Sequence, residues 1–372
     1  MSRTTRISAR EAWRRLGRQR LRLIDIRRRH ETLTGMAEGA DHVERDALAA
    51  DPDRFASDSA LALICARGMR SADLADTLAD RLDCDVLSVE GGMEAWREAE
   101  LPTRTPDSSL TAREAERYQR HLALPGIGEA GQMALKQSRV LVVGAGGLGS
   151  PASLYLAAAG VGRIRIVDDD RVERSNLQRQ VLHGEAGLGR AKAGSARQRL
   201  IDLNPDVEIE AVEARVDSAN VDELVSGCDA VIDGSDNFPT RYRLNDACLR
   251  AGVPLVFGAV ERFVGMIGIV EAGQGGCYRC LFPEPPRRED APGCAEAGVF
   301  GVLPGVIGTL QATETLKLLL DIGRPLTGRL LRYDALEGRF LQSNLTRDPD
   351  CGWCGPGASP PAEFDYEAFC SD

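Results

Sequence analysis

The sequence has no apolar run long enough to cross a membrane. The longest, Leu154–Val161, falls far short of the roughly 20 residues that a bilayer requires. The first ten residues, MSRTTRISAR, contain no apolar stretch of the kind found in secretory signals. Basic residues are not in excess either, since 46 Lys and Arg face 56 Asp and Glu, for a net charge of −10. We therefore expect a cytoplasmic protein that contacts no membrane and does not bind nucleic acid directly, because phosphate-backbone binding needs a basic face.

Cysteine, by contrast, is frequent, with ten residues in a chain of 372. In a reducing compartment such cysteines serve as metal ligands, nucleophiles or buried thiols more often than as disulfides. Cys277 and Cys280 form one Cys-x-x-Cys pair in GCYRC, and Cys351 and Cys354 form a second in CGWC. Two such pairs are typical of a tetrahedral four-cysteine zinc site. Spacing alone leaves a redox pair open, because the two pairs lie far apart in the chain.

The length is typical of two domains, and a composition break at Leu101–Leu110 (LPTRTPDSSL) marks the boundary between them. Before the break, apolar strand patterns at 21–26, 61–65 and 85–90 alternate with a helical pattern at 71–82. This alternation predicts a small parallel α/β sheet. We place the first domain at 1–104, a linker at 105–112, the second domain at 113–356 and a loosely held Pro/Gly-rich tail at 357–372.

In the second domain a strand, a glycine turn and a helix are predicted over 139–160, followed by strands near 163–170, 228–236 and 253–260. This order predicts a doubly wound α/β sheet with helices on both faces. Gly144, Gly146 and Gly149 stand in G-x-G-x-x-G register, and Asp168 follows at the end of the next strand, close to the spacing of a ribose-binding acid. NAD, FAD and ATP sites can all begin in this way.

Charged and amide residues after the glycine turn favour ATP over the dinucleotides. SNLQRQ (Ser175–Gln180) and Lys192 supply an amide, a guanidinium and an ammonium group, and DGSDN (Asp233–Asn237) ends another predicted strand. Hydride transfer has no use for so many phosphate-binding groups. Three phosphates and a magnesium ion do need them, because cations stabilise the leaving pyrophosphate and a carboxylate holds the metal. Any one of these residues alone is more simply a solvated surface charge.

Cys65 ends the predicted strand LALIC and precedes the loop ARGMRS and a helix. Backbone N–H groups and a helix N-terminus aimed at one sulfur stabilise an anionic sulfur species. A buried strand-end thiol without function is the alternative from this stretch alone.

Three ordered motifs resemble those of rhodaneses. They are the loop CARGMRS, the strand end LIDIR with Asp25 and Arg27, and the segment VEGGMEAW with Gly91, Gly92 and Trp96. The resemblance covers about residues 5–104 and implies that Cys65 carries a persulfide, whose terminal sulfur the loop amides and Arg70 hold. GMAEGA at 35–40 departs from the family pattern, since it lacks a His and an Ile.

Residues 110–354 resemble the molybdopterin-synthase and thiamine-pathway adenylyltransferases (MoeB/ThiF), relatives of the ubiquitin-activating enzymes. The matching motifs are RYQRH, GAGGLG, SNLQRQ, DGSDN, CYRC and CGWC. The resemblance implies ATP and Mg²⁺ as reactants and assigns the nucleotide site to Gly146, Gly147, Asp168, Ser175, Asn176, Leu177, Gln178, Arg179, Lys192, Asp236 and Asn237, with Asp236 binding Mg²⁺. It also implies structural Zn²⁺ at Cys277, Cys280, Cys351 and Cys354.

The substrate implied by the resemblance is a small ubiquitin-fold sulfur carrier whose C-terminal Gly-Gly carboxylate is adenylated. Arg120 is expected to reach the triphosphate from the other protomer of a homodimer, and Cys294 to attack the adenylate from a crossover loop. An upstream persulfide donor is expected to load Cys65. Three alternatives stay open: a rhodanese domain that only binds or regulates, a tRNA-modifying cyclodehydratase on the same fold, and a nicotinamide oxidoreductase.

Overall fold

The structure is a computed structural model that describes residues 5–18, 20–55, 59–285, 298–358, 360–361 and 364–370. The chain divides into two compact units at Ala130/Gly131, within the helix Gly128–Gln137. Among the described residues, no helix is both long and apolar enough to cross a membrane.

The first unit is built on a five-stranded parallel sheet of order β1-β6-β5-β2-β4. Its strands, with the separate pair β3 and β7, are β1 (Thr5–Ile7), β2 (Leu21–Asp25), β3 (Met36–Ala37), β4 (Asp41–His42), β5 (Ala60–Ile64), β6 (Val86–Val89) and β7 (Thr103–Arg104). Its helices are α1 (Ala9–Gly17), α2 (Arg29–Thr32), α3 (Arg45–Ala50), α4 (Met69–Ala79), α5 (Gly92–Glu98), α6 (Ala112–Arg117) and α7 (Gln119–Leu122). The three predicted strands and the predicted helix are confirmed as β2, β5, β6 and α4.

Side chains of β5 alternate between two apolar clusters. Leu61 and Leu63 belong to one cluster, and Ala62 and Ile64 belong to the other. Because successive side chains of a strand point to opposite faces, the sheet is covered on both sides and β5 is buried in its centre. This burial fixes the position of Cys65, the residue that follows β5.

The second unit is built on an eight-stranded sheet of order β10-β9-β8-β11-β12-β13-β14-β15. The strands are β8 (Arg139–Val143), β9 (Arg163–Val167), β10 (Glu208–Val212), β11 (Ala230–Asp233), β12 (Leu255–Glu261), β13 (Val264–Val270), β14 (Arg329–Asp334) and β15 (Arg339–Asn344). The helices that follow α7 are α8 (Gly128–Gln137), α9 (Gly149–Ala159), α10 (Lys192–Leu203), α11 (Val221–Val225), α12 (Phe238–Ala251), α13 (Tyr278–Leu281), α14 (Leu303–Leu320) and α15 (Tyr366–Phe369).

Strands β8 to β12 pair in parallel, and β12 to β15 pair as antiparallel neighbours. The predicted doubly wound sheet is confirmed, and the antiparallel extension is an addition to it. From β8 the chain first adds β9 and β10 on one side and later adds β11 and β12 on the other. The strand order therefore reverses between β8 and β11, and a crevice at such a switch point is the usual ligand site of an open α/β sheet.

The end of the chain differs from the loosely held tail that its composition predicts. Tyr366 is only 4% exposed, and α15 packs against α12. The Tyr366 hydroxyl donates to the Asp246 carboxylate at 3.0 Å. Aromatic residues at 364, 366 and 369 bury this end despite the Pro/Gly-rich stretch before it, so the expectation is corrected for residues 364–370.

Candidate functional site

The turn from β8 into α9 requires glycine for steric reasons. Gly144 has φ +89°, and a Cβ there would lie 2.7 Å from the Gly234 carbonyl oxygen. A Cβ on Gly149 would lie 1.7 Å from the Gly144 carbonyl oxygen. The turn therefore lies close to the end of β11 on one side and to the first turn of α9 on the other. Gly146, between them, lies at the surface of the adjoining cavity.

That cavity lies at the β8–β11 switch point and encloses about 960 Å³, including space open to solvent. Seven residues of the predicted nucleotide site line it: Gly146, Gly147, Asp168, Arg179, Lys192, Asp236 and Asn237. Two cations, two carboxylates and a glycine turn thus face one space, although they come from distant parts of the sequence. Such a lining suits a nucleoside triphosphate bound together with a divalent cation.

Acidic residues hold both the glycine turn and Lys192 in place. One Asp168 oxygen accepts the Ala145 N–H at 2.7 Å, and the other accepts the Asp170 N–H at 2.9 Å. Lys192 is 5% exposed and donates from Nζ to Asp170 at 2.7 Å. Burial raises the pKa of Asp168 despite these hydrogen bonds and the nearby Lys192 charge. The buried ammonium group is therefore fixed at the cavity wall.

Asn237 caps α12, because its side-chain oxygen accepts the Thr240 N–H at 3.0 Å. The neighbouring Asp236 is exposed in the cavity at the start of this helix. Asn237 thus has a structural task that the sequence did not reveal. It fixes the end of the helix beside the carboxylate expected to hold Mg²⁺.

Four residues that the sequence analysis assigned to the nucleotide site do not line the cavity: Ser175, Asn176, Leu177 and Gln178. Two of them support Arg179 instead. Arg179 donates to the Asn176 side chain at 3.2 Å and to the Ser175 carbonyl at 3.3 Å. Arg120 lies in α7, which belongs to the first unit.

Several polar residues that line the cavity were not predicted for the site, among them Gln180 and Arg241. Arg241 donates to the carbonyls of Ser235 and Gly258 at 2.7 and 2.9 Å, and so joins β12 to the loop that follows β11. Its position four residues after Asn237, one turn into the capped helix, was the available signal.

In the first unit, Cys65 is 1% exposed, and its sulfur is surrounded by hydrogen-bond donors. Gly68 N–H lies 3.1 Å from Sγ, and the backbone N–H and hydroxyl of Ser71 each lie 3.4 Å from it. The loop is pressed against the Gly91–Gly92 turn, where a Cβ on Gly92 would lie 2.2 Å from the Cys65 carbonyl oxygen. This close backbone packing explains why the Gly91–Gly92 turn needs glycine. It also holds the loop with its N–H groups around the Cys65 sulfur.

A pocket opens beside Cys65 and is lined by four arginines and two glutamates: Arg27, Arg67, Arg70, Arg97, Glu31 and Glu94. Arg70 makes a two-pronged contact with Glu31, with nitrogen–oxygen distances of 2.6 and 2.8 Å. Burial raises the pKa of Glu31, but the Arg70 hydrogen bonds, the Arg28 N–H and the charges of Arg70 and Arg27 together hold that pKa below its ordinary value. The sequence analysis did not single out Glu31, which orients Arg70 beside this pocket. Gln119 of α7 lines the same pocket.

The four paired cysteines converge in the second unit. Their sulfurs lie 3.9 Å apart for Cys277 and Cys280, 3.8 Å for Cys277 and Cys351, and 3.4 Å for Cys280 and Cys354. Tetrahedral zinc with Zn–S bonds of about 2.3 Å places sulfurs about 3.8 Å apart. Burial and the neighbouring sulfurs raise the pKa of Cys277, so this buried sulfur needs a cation to be held as a thiolate. The geometry fits a metal ion.

Arg279 lies between the first two of these cysteines and is enclosed by aromatic rings. Its guanidinium carbon is 4.0 Å from the Trp353 ring centroid and 4.9 Å from that of Phe369. It donates to both Asp246 oxygens at 2.8 and 3.0 Å. This buried ion pair attaches the cysteine loop to α12.

The remaining cysteines differ in exposure. Cys248 is buried, which raises its pKa, and Cys84, Cys228 and Cys370 are partly buried. Cys294 lies outside the described residues.

The comparisons with known proteins agree with this geometry. The model of the ThiF family matches residues 118–353, and the model of the rhodanese-like domain matches residues 8–99. The chain belongs to the ThiF family. It carries a rhodanese-like domain before the family region. The family match begins within the first unit, which extends to residue 130.

Two curated relatives align with the family region and are covered almost completely. The SAMP-activating enzyme E1 of Haloferax volcanii is 53% identical over 264 residues, which are 71% of this chain and 97% of the relative. The sulfur carrier protein adenylyltransferase of Thermus thermophilus is 51% identical over 265 residues, 70% of this chain and 98% of the relative.

A third relative has both activities in its name. The adenylyltransferase and sulfurtransferase MOCS3 of Bos taurus is 47% identical over 280 residues, which are 75% of this chain but 62% of the relative. Among solved structures, E. coli MccB with succinimide has a TM-score of 0.57 at 25% identity, covering 64% of this chain and 74% of that one.

Proposed function

We propose that the chain uses ATP to adenylate the C-terminal Gly-Gly carboxylate of a small ubiquitin-fold sulfur carrier, and that Cys65 supplies sulfur to convert this carboxylate into a thiocarboxylate. The observation that carries the first half is the single cavity formed by the glycine turn, Arg179, Lys192, Asp168 and Asp236. Relatives named as sulfur carrier protein adenylyltransferase and as adenylyltransferase and sulfurtransferase support both halves.

In the adenylation step, a carrier carboxylate oxygen attacks the α-phosphorus of ATP, and pyrophosphate leaves. The product is an acyl-adenylate, in which AMP is a good leaving group. Arg179 and Lys192 lie where they can stabilise negative charge on the phosphates. Asp168, which lines the same cavity, would bind the ribose. Asp236 would hold Mg²⁺, which supplies charge neutralisation on the phosphates when bound.

In the sulfur step, a donor first leaves a persulfide on Cys65. The terminal sulfur attacks the acyl carbon, and AMP leaves as the carbon–sulfur bond forms. A second thiol then attacks the Cys65 sulfur, releasing the thiocarboxylate and leaving a disulfide that an external thiol reduces. The Gly68 and Ser71 N–H groups, which surround the Cys65 sulfur, and Arg70, which lines the adjoining pocket, would stabilise the terminal sulfur.

The four-cysteine site would hold Zn²⁺ as a structural ion, since cysteine sulfurs would fill all four ligand positions. A homodimer in which Arg120 reaches the partner's triphosphate, an upstream persulfide donor and an attack of Cys294 on the carrier adenylate belong to the same proposal. They rest on the motif resemblance alone.

ATP–pyrophosphate exchange with each small Gly-Gly carrier of the host tests the adenylation. We expect exchange with at least one carrier and a large loss in Asp236→Asn. Absence of exchange with every carrier would contradict the proposal. NAD(H) binding without exchange would favour the oxidoreductase alternative.

A further inference from the structure

His183 lies behind the glycine turn, in a segment to which the motifs assigned no role. Its ring is half-buried and has a hydrogen-bond partner on each nitrogen. Nε2 lies 2.9 Å from the Ala145 carbonyl oxygen, and Nδ1 lies 3.0 Å from the Ser195 hydroxyl. One partner belongs to the glycine turn and the other to α10, the helix that begins at Lys192.

These partners determine which ring nitrogen carries the proton. A carbonyl oxygen can only accept a hydrogen bond, so Nε2 must be protonated. In the neutral ring Nδ1 then accepts from the Ser195 hydroxyl. Burial lowers the pKa of His183, and the Lys192 charge lowers it further, against the opposing effects of the Ala145 hydrogen bond and Asp168. The structure therefore favours one neutral tautomer.

The Ala145 residue is held from two directions. Its N–H donates to Asp168 at 2.7 Å, and its carbonyl accepts from His183. Because a peptide group is planar and trans, the Gly146 N–H points away from the Ala145 carbonyl, on the side opposite His183. Gly146 lines the cavity, and within the described part of the chain its N–H makes no hydrogen bond. The second glycine of such a turn is where the backbone approaches a nucleotide's phosphates.

We propose that His183 is a positioning residue for nucleotide binding: by donating from Nε2 to Ala145 and accepting from Ser195, it aims the Gly146 N–H at the phosphates and fixes the glycine turn relative to α10. This inference rests on the proposed use of ATP and adds a residue that would not touch the nucleotide itself.

Two variants separate the hydrogen bonds of the ring. In His183→Gln the amide nitrogen reaches about as far as Nε2, so donation to Ala145 can be retained. In His183→Asn the amide reaches only about as far as Nδ1, and donation to Ala145 is lost. Each variant is titrated by calorimetry, as the full chain, with a non-hydrolysable ATP analogue and with adenosine. Thermal unfolding shows whether the two variants are equally folded.

We expect His183→Asn to weaken binding of the ATP analogue on the order of 3–10-fold, as for the loss of one positioning hydrogen bond. His183→Gln should stay within about 2-fold of the unsubstituted chain, and adenosine binding should change little in either variant. Equal losses in both variants, no loss in His183→Asn, or an equal loss for adenosine and the ATP analogue would overturn the inference.

Nitrogen NMR of the unsubstituted chain, labelled at histidine, tests the hydrogen bonds without any ligand. The expected signature for His183 at neutral pH is the neutral ring protonated at Nε2. A ring protonated at Nδ1 alone, or carrying both protons, would contradict the arrangement. If the unsubstituted chain bound no ATP analogue, the proposed function would fail, while the NMR result would still decide the hydrogen bonding of the ring.

Discussion

Cys65 and the four-cysteine cluster place the same side chain in opposite surroundings. Around Cys65, one sulfur meets two backbone N–H groups and a hydroxyl, and it adjoins a pocket lined by arginines. In the cluster, each sulfur meets other sulfurs within 4.8 Å. The first setting stabilises negative charge on a sulfur that a substrate can approach. The cluster requires a cation, and its four sulfurs would all serve as ligands of that cation.

The comparison shows that the reactivity of a cysteine follows from the donors around it and not from its motif. GCYRC and CGWC look like reactive pairs in the sequence, but they converge on a site that a metal ion fits. Among the described cysteines, we propose Cys65 for the sulfur chemistry, because hydrogen-bond donors surround its sulfur.

Replacing Cys65 tests this comparison with the largest expected effect. Cys65→Ala should abolish transfer of labelled sulfur from thiosulfate to the chain, because it removes the proposed acceptor atom. Cys84→Ala, which changes a thiol outside the pocket, should retain transfer. Sulfur bound after desalting is the measurement. Sulfur retained by Cys65→Ala would place the reactive thiol elsewhere.

Cys351→Ser should release the metal and destabilise the second unit while leaving sulfur loading of Cys65 intact. Structural zinc contributes on the order of 10 kcal/mol of apparent binding free energy, so the loss of one ligand is severe. Metal content by mass spectrometry and the thermal midpoint of unfolding measure this. Cys370→Ser serves as the control and should keep its metal. If Cys351→Ser retained metal and stability, the cluster would not be a structural site.

Asp246→Asn breaks the ion pair that attaches the cysteine loop to α12. The side chains of Arg279 and Asp246 are 2% and 0% exposed, so the variant leaves a buried guanidinium without its counter-charge. We expect a loss of about 3–5 kcal/mol in the free energy of unfolding.

The matched control is Asp222→Asn, whose carboxylate is 62% exposed and pairs with Arg250. Such exposed pairs contribute less than about 1 kcal/mol. Denaturant unfolding measures both variants. Equal losses would mean that the buried pair has no special role in holding the cysteine loop.

Glu31→Gln should have the smallest effect of the four, a reduction of a few-fold in sulfur loading, because Arg70 remains but is less firmly oriented. Arg70, together with the Arg28 N–H and the Arg27 charge, holds the pKa of Glu31 below its ordinary value of 4.5. The contribution of the pair to stability is therefore fully present above pH 4.5 and is lost as pH falls through the lowered pKa. Between pH 6 and pH 3, the free energy of unfolding should decline less in Glu31→Gln than in the unsubstituted chain. An identical decline would contradict the role of this pair.

Much of the architecture was predictable, because local patterns specify it. The glycine turn, the strand ends carrying Asp168 and Asp236, and the Cys65 loop follow from spacing and residue type. The antiparallel extension was not predicted, and its outer strand β15 is exposed along its whole length, so it has no apolar alternation to reveal it.

Contacts between residues far apart in the chain could not be predicted from the sequence either. Arg279 with Asp246, Glu31 with Arg70, and His183 with Ala145 become visible only when the fold brings them together. The buried end at Tyr366 was hidden by the Pro/Gly-rich stretch before it.

The central claim is that one chain activates a carrier with ATP and delivers sulfur from Cys65. The intact mass of the carrier, after incubation with the chain, MgATP, a physiological sulfur donor and a reducing thiol, tests it most directly. The account predicts that the unsubstituted chain replaces one carrier oxygen by sulfur, and that Cys65→Ala yields adenylate without thiocarboxylate. Thiocarboxylate formed by Cys65→Ala in unchanged yield would contradict it and would leave the rhodanese-like domain a binding or regulatory role.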